Sequence, residues 1–520
     1  MPNLIAPFTE SDITYLEHCG ITLEEANRQY NILQKGAFYP SVVKAASLEY
    51  GIMKVSEGEM SSYLEKWDSY RESDNASICK FVPASGAASR MFRDFFPLLD
   101  KQVSYTVDDL TAVQKQFFDH IGAFAFYKEL NETCLRNEWT SVSRLLNSDK
   151  YSTILQNLLT SYGLDYAHLP KGLIPFHSYP NGEIRTAALE HLVEGVLTCK
   201  GIDGKVQVHF TIPSDKREAF TGHIDRHKEY LEDEFGVCFD VSYSEQSSST
   251  DTLSLDSQGN LFRKADGTLL LRPGGHGALL KNLMELKSDI VLIKNIDNVS
   301  PDFLKGNTIT YIKLLGGILL AVQEKVFSYL ERIDSGRTSR SLTEEMLSFL
   351  REVFCIELSP NELVGDKETL ERIFAKLNRP LRVCAMVHNE GEPGGGPFVV
   401  KEAGGTTSLQ ILESSQFSQD EASQEVFSSG AYFNPVLLAC SLKDYSGNRF
   451  NLNDYVNSNL AFLTKKSYEG REITSLEHPG LWNGSMDRWN TIFVEVPKSL
   501  FTPVKSVMDL LRPEHQTLYT

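Results

Sequence analysis

The chain has 520 residues, 41% of them hydrophobic and 23% charged, a balance that excludes disordered, collagenous and coiled-coil proteins and, at roughly 150 residues per domain, predicts two to four packing units. Lys and Arg number 51 against 69 Asp and Glu, a net charge of −18, which disfavours sequence-independent binding to nucleic acid or an anionic membrane. Any phosphate site must therefore be locally basic.

The opening MPNLIAPFTESD carries acidic residues and no basic segment before an apolar run, unlike a secretory signal. The most apolar stretch, 314–322, is about half the length of a membrane span. The eight cysteines are scattered singly with no CxxC pair, which predicts reduced core thiols in a cytoplasmic protein. In chain order, residues 1–75 read as a helical N-terminal segment. Thr22 and Glu25 form a capping box ahead of Leu23, Ala26, Tyr30 and Leu33, Gly36 offers a stop, and Ser56 to Glu59 repeats the capping signal.

Near Ile78 the texture changes to strand, small-residue loop (Pro83 to Ser89) and helix start at Arg90. Helical spacing returns over about 100–165 through Leu110, Val113, Phe117, Ile121 and Phe124, a helical insertion. From 171 to 298 strands and helices alternate: Gly172 to Phe176, a helix through Leu189, Leu192, Val193 and Val196, a strand through Val206, Val208, Phe210 and Ile212, and a strand from Asp289 to Ile293. This predicts an α/β fold with a mixed, mostly parallel sheet covered on both faces. Helical signals fill 313–377, the turn GEPGGGPF follows at 391–398, and strand-like runs include Phe398 to Val400 and Thr491 to Val496. The divisions expected are 1–75, an α/β domain over 76–400 with its insertion, and a C-terminal portion over 401–520.

Four segments carry chemistry. A loop of small residues, Ser85, Gly86, Ala87, Ala88 and Ser89, leaving a strand lets backbone N–H groups face an anion, and Arg90 adds a bidentate charge. Lys171 is pinned between Pro170 and Gly172, as a rigid phosphate contact would be. In LRPGGHGA, 271–278, Gly274 and Gly275 permit close approach to a flat ligand and His276 can hydrogen-bond it. Asp297 ends an apolar strand, where a carboxylate can hold Mg²⁺ over a triphosphate. A plain turn, a surface lysine, a hairpin and a strand-capping Asp are the competing readings. His223 and His227 stand four apart, but the glutamate of HExxH is absent. Trp482-Asn483 and Trp489-Asn490 read as buried packing or as a sugar-stacking aromatic.

Together these segments resemble a known family. SGAASRM is similar to the GGxGTR(L/M) signature of sugar nucleotidyltransferases, LPKGLIPF to their PK(P/G)L(L/I)P element, and RPGGHGAL to the PPGHGD segment of UDP-glucose pyrophosphorylases. VPKSLFTPVKSVMDLL, 496–511, resembles their VPRxRFxPVKTTSDLL, and SLQILESSQ, 408–416, the VVEYSE segment of UDP-N-acetylhexosamine pyrophosphorylases. As a whole the chain resembles a bacterial DUF4301-like family related to UDP-sugar pyrophosphorylases. The resemblance implies a GT-A-like, Rossmann-like nucleotide-diphospho-sugar transferase fold. It also implies a nucleotidyltransferase making an NDP-sugar and pyrophosphate from a nucleoside triphosphate, UTP above all, and a sugar 1-phosphate, with Mg²⁺. It assigns Ser85 to Ser89, Arg90 and Lys171 to the triphosphate, Gly275 and His276 to the base and α-phosphate, Gln246 to uracil, and Asp297 to Mg²⁺. Lys505 falls to the sugar phosphate, and Glu413 and Asn434 to sugar hydroxyls. Ala88 and Ser89 replace the second Gly and the Thr of the signature, and Ala278 replaces an acidic residue. A nucleotide-sugar-binding regulator without turnover, and a GT-A-type glycosyltransferase using Asp297, therefore stay open.

Overall fold

The computed structural model describes residues 8–100, 105–359, 362–363, 365–402 and 404–516. It is a mixed α/β protein whose chain weaves between two compact units. The first comprises residues 1–78, 246–293 and 312–498, and the second 79–245, 294–311 and 499–520.

The second unit is built on three parallel strands, Ile78–Pro83, Lys205–Ile212 and Cys238–Glu245. Alternation sends Val206, Val208, Phe210 and Ile212 into the core, all at most 1% exposed. Thr186 caps the helix Ala187–Cys199 by accepting from the Leu189 N–H. Gly195 lets that helix close on the strand, since a Cβ there would stand 3.2 Å from methyls of both Val206 and Val208.

The same helix buries Glu190, His191 and Glu194 completely. Glu194 binds Lys80 Nζ at 2.5 Å and Lys294 Nζ at 2.6 Å, and Glu190 binds His177 Nδ1 at 2.7 Å and Lys305 Nζ at 2.5 Å. Each buried carboxylate thus has cationic or hydrogen-bonding partners, without which burial would be prohibitive.

Over the expected insertion lie helices at Ala112–Asp119, Tyr127–Glu138, Val142–Leu146 and Tyr151–Leu159. Their aromatic core joins Phe95, Phe117, Phe118, Phe124 and Phe126, with Phe95 and Phe117 ring centroids 4.5 Å apart. The helix expected from Arg90 is a 3₁₀ segment, Ala88–Leu99, containing Pro97. That residue lacks the amide hydrogen an α-helix interior requires.

In the first unit, strands follow the order Ile52–Met53, Asn490–Glu495, Leu381–His388, Leu437–Ser441 and Ile290–Lys294. Asn490–Glu495 runs parallel to both of its neighbours, whereas Leu437–Ser441 is antiparallel to Leu381–His388. Two smaller antiparallel sheets join Ser41–Ala45 with Gly396–Lys401 and Thr407–Leu412, and Thr252–Asp256 with Leu271–Arg272, Arg471–Glu477 and Phe462–Tyr468. The capping signals at Thr22 and Ser56 start helices Leu23–Lys35 and Glu57–Arg71 as expected, and Gly36 takes a φ of +82°. Helices Glu10–His18 and Leu23–Lys35 and the turn between them pack Leu16, Ile21, Ala26 and Leu33 on Leu253, Leu255 and Leu476. Six of the eight cysteines are buried and none is in a disulfide. Among the described residues no helix is long and apolar enough to cross a membrane.

Candidate functional site

In the second unit three distant segments meet. After Pro83 the loop runs extended beside 169–171: Ala88 N–H donates to Leu169 O at 2.9 Å, Lys171 N–H donates to Gly86 O at 3.0 Å, and Ala87 bridges Pro170. This pairing returns the lysine to the loop after the intervening helices. It also corrects one expectation, because the Ala88 amide is already spent on Leu169 and cannot face an anion. The amides of Ser85, Gly86 and Ala87 make no hydrogen bond among the described residues. Ser85, Gly86 and Ala87 are exposed, and Ser89 is half-buried.

The loop ending in Asp297 is held from several sides. Ile296 N–H donates to Pro83 O at 3.4 Å, and the buried His191 Nε2 lies 3.1 Å from Asn295 O and 3.3 Å from Ile296 O. Burial, then the charge of Lys80, keeps His191 neutral, with its pKa well below the usual histidine range. The C-terminal segment zips on as Val504 N–H donates to Asp297 O at 3.0 Å and Asn298 bridges Pro503.

Three of the expected residues are thereby brought together. Lys171 Nζ lies 3.0 Å from Asp297 Oδ2 and 3.0 Å from Val504 O, and Lys505 Nζ lies 3.4 Å from the same Oδ2. The Lys171 and Asp297 side chains are 11% and 12% exposed, whereas Lys505 is 61% exposed. Two cations thus share one carboxylate, leaving a local excess of positive charge on an acidic chain. Arg90 does not join them: it is exposed and its guanidinium has no ion pair among the described residues.

Among the described residues no group of three or more His, Cys, Asp or Glu could hold a metal by itself. Mg²⁺ on a triphosphate needs only one or two protein carboxylates. Asp297 fits that donor chemistry, since both lysines use Oδ2.

The other expected residues lie in the first unit. The glycine loop is tied to 477–480, with His478 N–H donating to Gly274 O at 2.8 Å. A Cβ on Gly275, whose φ is +74°, would stand 2.8 Å from Glu477 Oε2, and the space beside Gly274 is taken by His478 and Thr250. Those glycines admit the protein's own chain, not only a flat ligand.

The His276 ring stacks on Trp482 with centroids 4.2 Å apart. Leu481 N–H donates to its Nδ1 at 3.1 Å, so the ring proton sits on Nε2, which lies 4.0 Å from Glu413 Oε1. Burial holds His276 neutral with a pKa of about 4, and burial followed by the charge of Glu477 raises that of Glu413. The Gln246 Nε2 is buried with no hydrogen-bond partner among the described residues.

Asn434 departs from its expected role. Its Nδ2 donates to Ala385 O at 2.8 Å and its Oδ1 accepts from Val436 N–H at 3.0 Å, so both ends brace the turn in which Val436 takes a φ of +56°. Nothing in the sequence singles out Asn483 beyond its place beside Trp482. Of the two histidines in HIDRH, His223 bonds Thr186 Oγ1 at 2.9 Å and His227 the carbonyl of His223 at 2.8 Å.

The profile of a family described as Domain of unknown function (DUF4301) matches residues 9–516. The chain belongs to that family. No curated protein sequence matches this DUF4301 member. Among solved structures it is similar to a variant UDP-glucose pyrophosphorylase from Leishmania major in complex with UDP-glucose, at 12% identity and a TM-score of 0.43 over 98% of this chain and 79% of that one. It is also similar to the uridine diphosphate N-acetylglucosamine pyrophosphorylase from Trypanosoma brucei in complex with an inhibitor, at 12% identity and a TM-score of 0.44, over 97% and 79% of the two chains.

Proposed function

We propose that the chain is a nucleotidyltransferase that joins a nucleoside triphosphate, UTP by resemblance, to a sugar 1-phosphate, giving an NDP-sugar and pyrophosphate. The observation that carries this reading is the convergence of Lys171 and Lys505 on Asp297, beside the unbonded amides of Ser85, Gly86 and Ala87. Both lysines come from segments whose sequences resemble the phosphate-binding elements of sugar nucleotidyltransferases.

A sugar-phosphate oxygen is already anionic and needs no protein base. It attacks the α-phosphorus in line, the bond from that phosphorus to the bridging oxygen breaks, and pyrophosphate leaves with the electron pair. The protein supplies position and positive charge. In this reading the loop and Arg90 bind the β- and γ-phosphates, Lys171 steadies the triphosphate, and Lys505 binds the incoming sugar phosphate. For the first unit, the family resemblance gives Gly274, Gly275 and His276 to the nucleotide, Gln246 to the base and Glu413 to sugar hydroxyls. Mg²⁺ held by Asp297 would add positive charge on the phosphates.

The loss of the Ala88 amide to Leu169 supports a second reading, a nucleotide-sugar-binding regulator without turnover. A screen of the four NTPs against several sugar 1-phosphates with pyrophosphate detection separates these. Stoichiometric pyrophosphate and NDP-sugar support the transferase. Thermal stabilisation by UDP-sugars without pyrophosphate supports the regulator. Consumption of an NDP-sugar by transfer of its sugar to an acceptor, with no pyrophosphate on either side, identifies a glycosyltransferase.

A further inference from the structure

Asn483 is 1% exposed, and its Oδ1 is buried without a hydrogen-bond partner among the described residues. The amide cannot be turned round to remove the anomaly. Its Nδ2 donates to Ile411 O at 3.0 Å, and a flip would set oxygen against oxygen. Buried acceptors without donors are rare in folded proteins because each has given up its water. This one also sits among ligand-competent groups. Asn483 Oδ1 lies 2.5 Å, and His276 Nε2 lies 2.7 Å, from the point where a side chain on Gly480 would begin. A Cβ on Gly395 would stand 3.4 Å from Asn483 Nδ2 and 3.6 Å from Glu413 Cγ.

The backbone beside Asn483 is fixed in advance. The fully buried Arg382 donates through Nη1 to Trp482 O at 2.6 Å and through Nε to Thr491 Oγ1 at 2.8 Å. Asn483 N–H donates to Gly480 O at 3.0 Å. A neutral imidazole N–H, a carboxylate of raised pKa, a stacked indole and a bare amide oxygen thus meet around two glycines. That mixture of donor and acceptors beside a flat ring suits a polyhydroxylated ring, each hydroxyl of which both donates and accepts.

We propose that Asn483 is a specificity-determining residue for the sugar: its Oδ1 accepts an O–H, or the N–H of an acylamino group, from the ring of the sugar 1-phosphate. This rests on the nucleotidyltransferase reading and narrows it to sugars carrying a donor at that ring position. An analogue that is deoxy there leaves the oxygen unpaired and is rejected.

The test is a cycle between protein and substrate. Wild type and Asn483→Ala, both first verified as folded by circular dichroism, are assayed with the preferred sugar 1-phosphate and its series of monodeoxy analogues. The wild-type KM for the sugar phosphate is expected to rise about tenfold or more with one analogue of the series. Asn483→Ala should raise KM for the parent sugar similarly, lose nothing further with that analogue, and leave the KM for NTP unchanged. Asn483→Asp is no substitute, since it would set a carboxylate oxygen against Ile411 O; if the Ala variant fails to fold, the wild-type analogue series decides by itself, and an equal KM for every analogue overturns the assignment. Additive losses, equal turnover of every analogue, or an equal rise in the KM for NTP would overturn the assignment while leaving the transferase reading intact. Wild-type protein that forms no NDP-sugar from any pair would instead remove that reading and this inference with it.

Discussion

Lys171 and Lys505 reach the same carboxylate oxygen from different environments, so their removal should separate stability from catalysis. Lys505→Met deletes an ion pair of 3.4 Å whose cation is 61% exposed. Solvent screening and side-chain entropy limit the stability cost of such a pair to about 0–1 kcal/mol. Lys171→Met deletes a cation 11% exposed that also caps Val504 O at 3.0 Å. Breaking a buried pair costs about 3–5 kcal/mol, and because Lys505 remains on Oδ2 we expect the lower end, about 3 kcal/mol. If both lysines neutralise charge that develops during phosphoryl transfer, each variant should lose about 10²–10³-fold in kcat. Urea unfolding and pyrophosphate release on the same preparations give both quantities. Lys505→Met that loses several kcal/mol yet retains its rate would make Lys505 a structural brace and refute this reasoning.

The buried charges and close contacts of the fold give further expectations. Glu194→Gln leaves the buried Lys80 and Lys294 sharing a neutral partner and should cost about 3–5 kcal/mol; a loss under about 1 kcal/mol in denaturant unfolding would contradict it. Gly317→Ala would drive a Cβ into the Tyr63 carbonyl of the neighbouring helix, and thermal unfolding should show a loss of about 1–3 kcal/mol. Burial holds His209 and His276 at about 4 and His223 and His515 at about 3. An unfolded histidine titrates near 6.5, so below that pH the unfolded chain takes up protons that the folded chain refuses. Stability should be intact above about pH 6.5 and fall steadily towards pH 4; unchanged urea midpoints between pH 6.5 and 4.5 would contradict these assignments.

Local signals in the sequence survived where local physics governs. The N-caps at Thr22 and Ser56, the alternating strand Lys205–Ile212 and the α/β alternation needed only neighbouring residues. Long-range partners stayed invisible. Nothing in the sequence marks Glu190 and Glu194 as buried charges, because their partners Lys305, Lys80 and Lys294 arrive from other strands and helices. The loop at Ser85 to Ser89 read as a set of free amides, and only the return of Leu169 shows that the Ala88 amide is occupied. Asn434 looked available for a sugar until the carbonyl of Ala385 and the amide of Val436 took both ends of its side chain. Asn483 shows the reverse. Its open oxygen results from Ile411 fixing the amide nitrogen, a tertiary fact with no trace in spacing.

The proposed transferase must make and break the bond between the α-phosphorus and the oxygen bridging it to the β-phosphorus. Incubating the protein with Mg²⁺, a panel of NDP-sugars and ³²P-labelled pyrophosphate tests it directly. Label should appear in the nucleoside triphosphate in step with release of sugar 1-phosphate, and its rate should fall about 10²–10³-fold in Lys171→Met. Binding of an NDP-sugar with no label entering any nucleotide would contradict it.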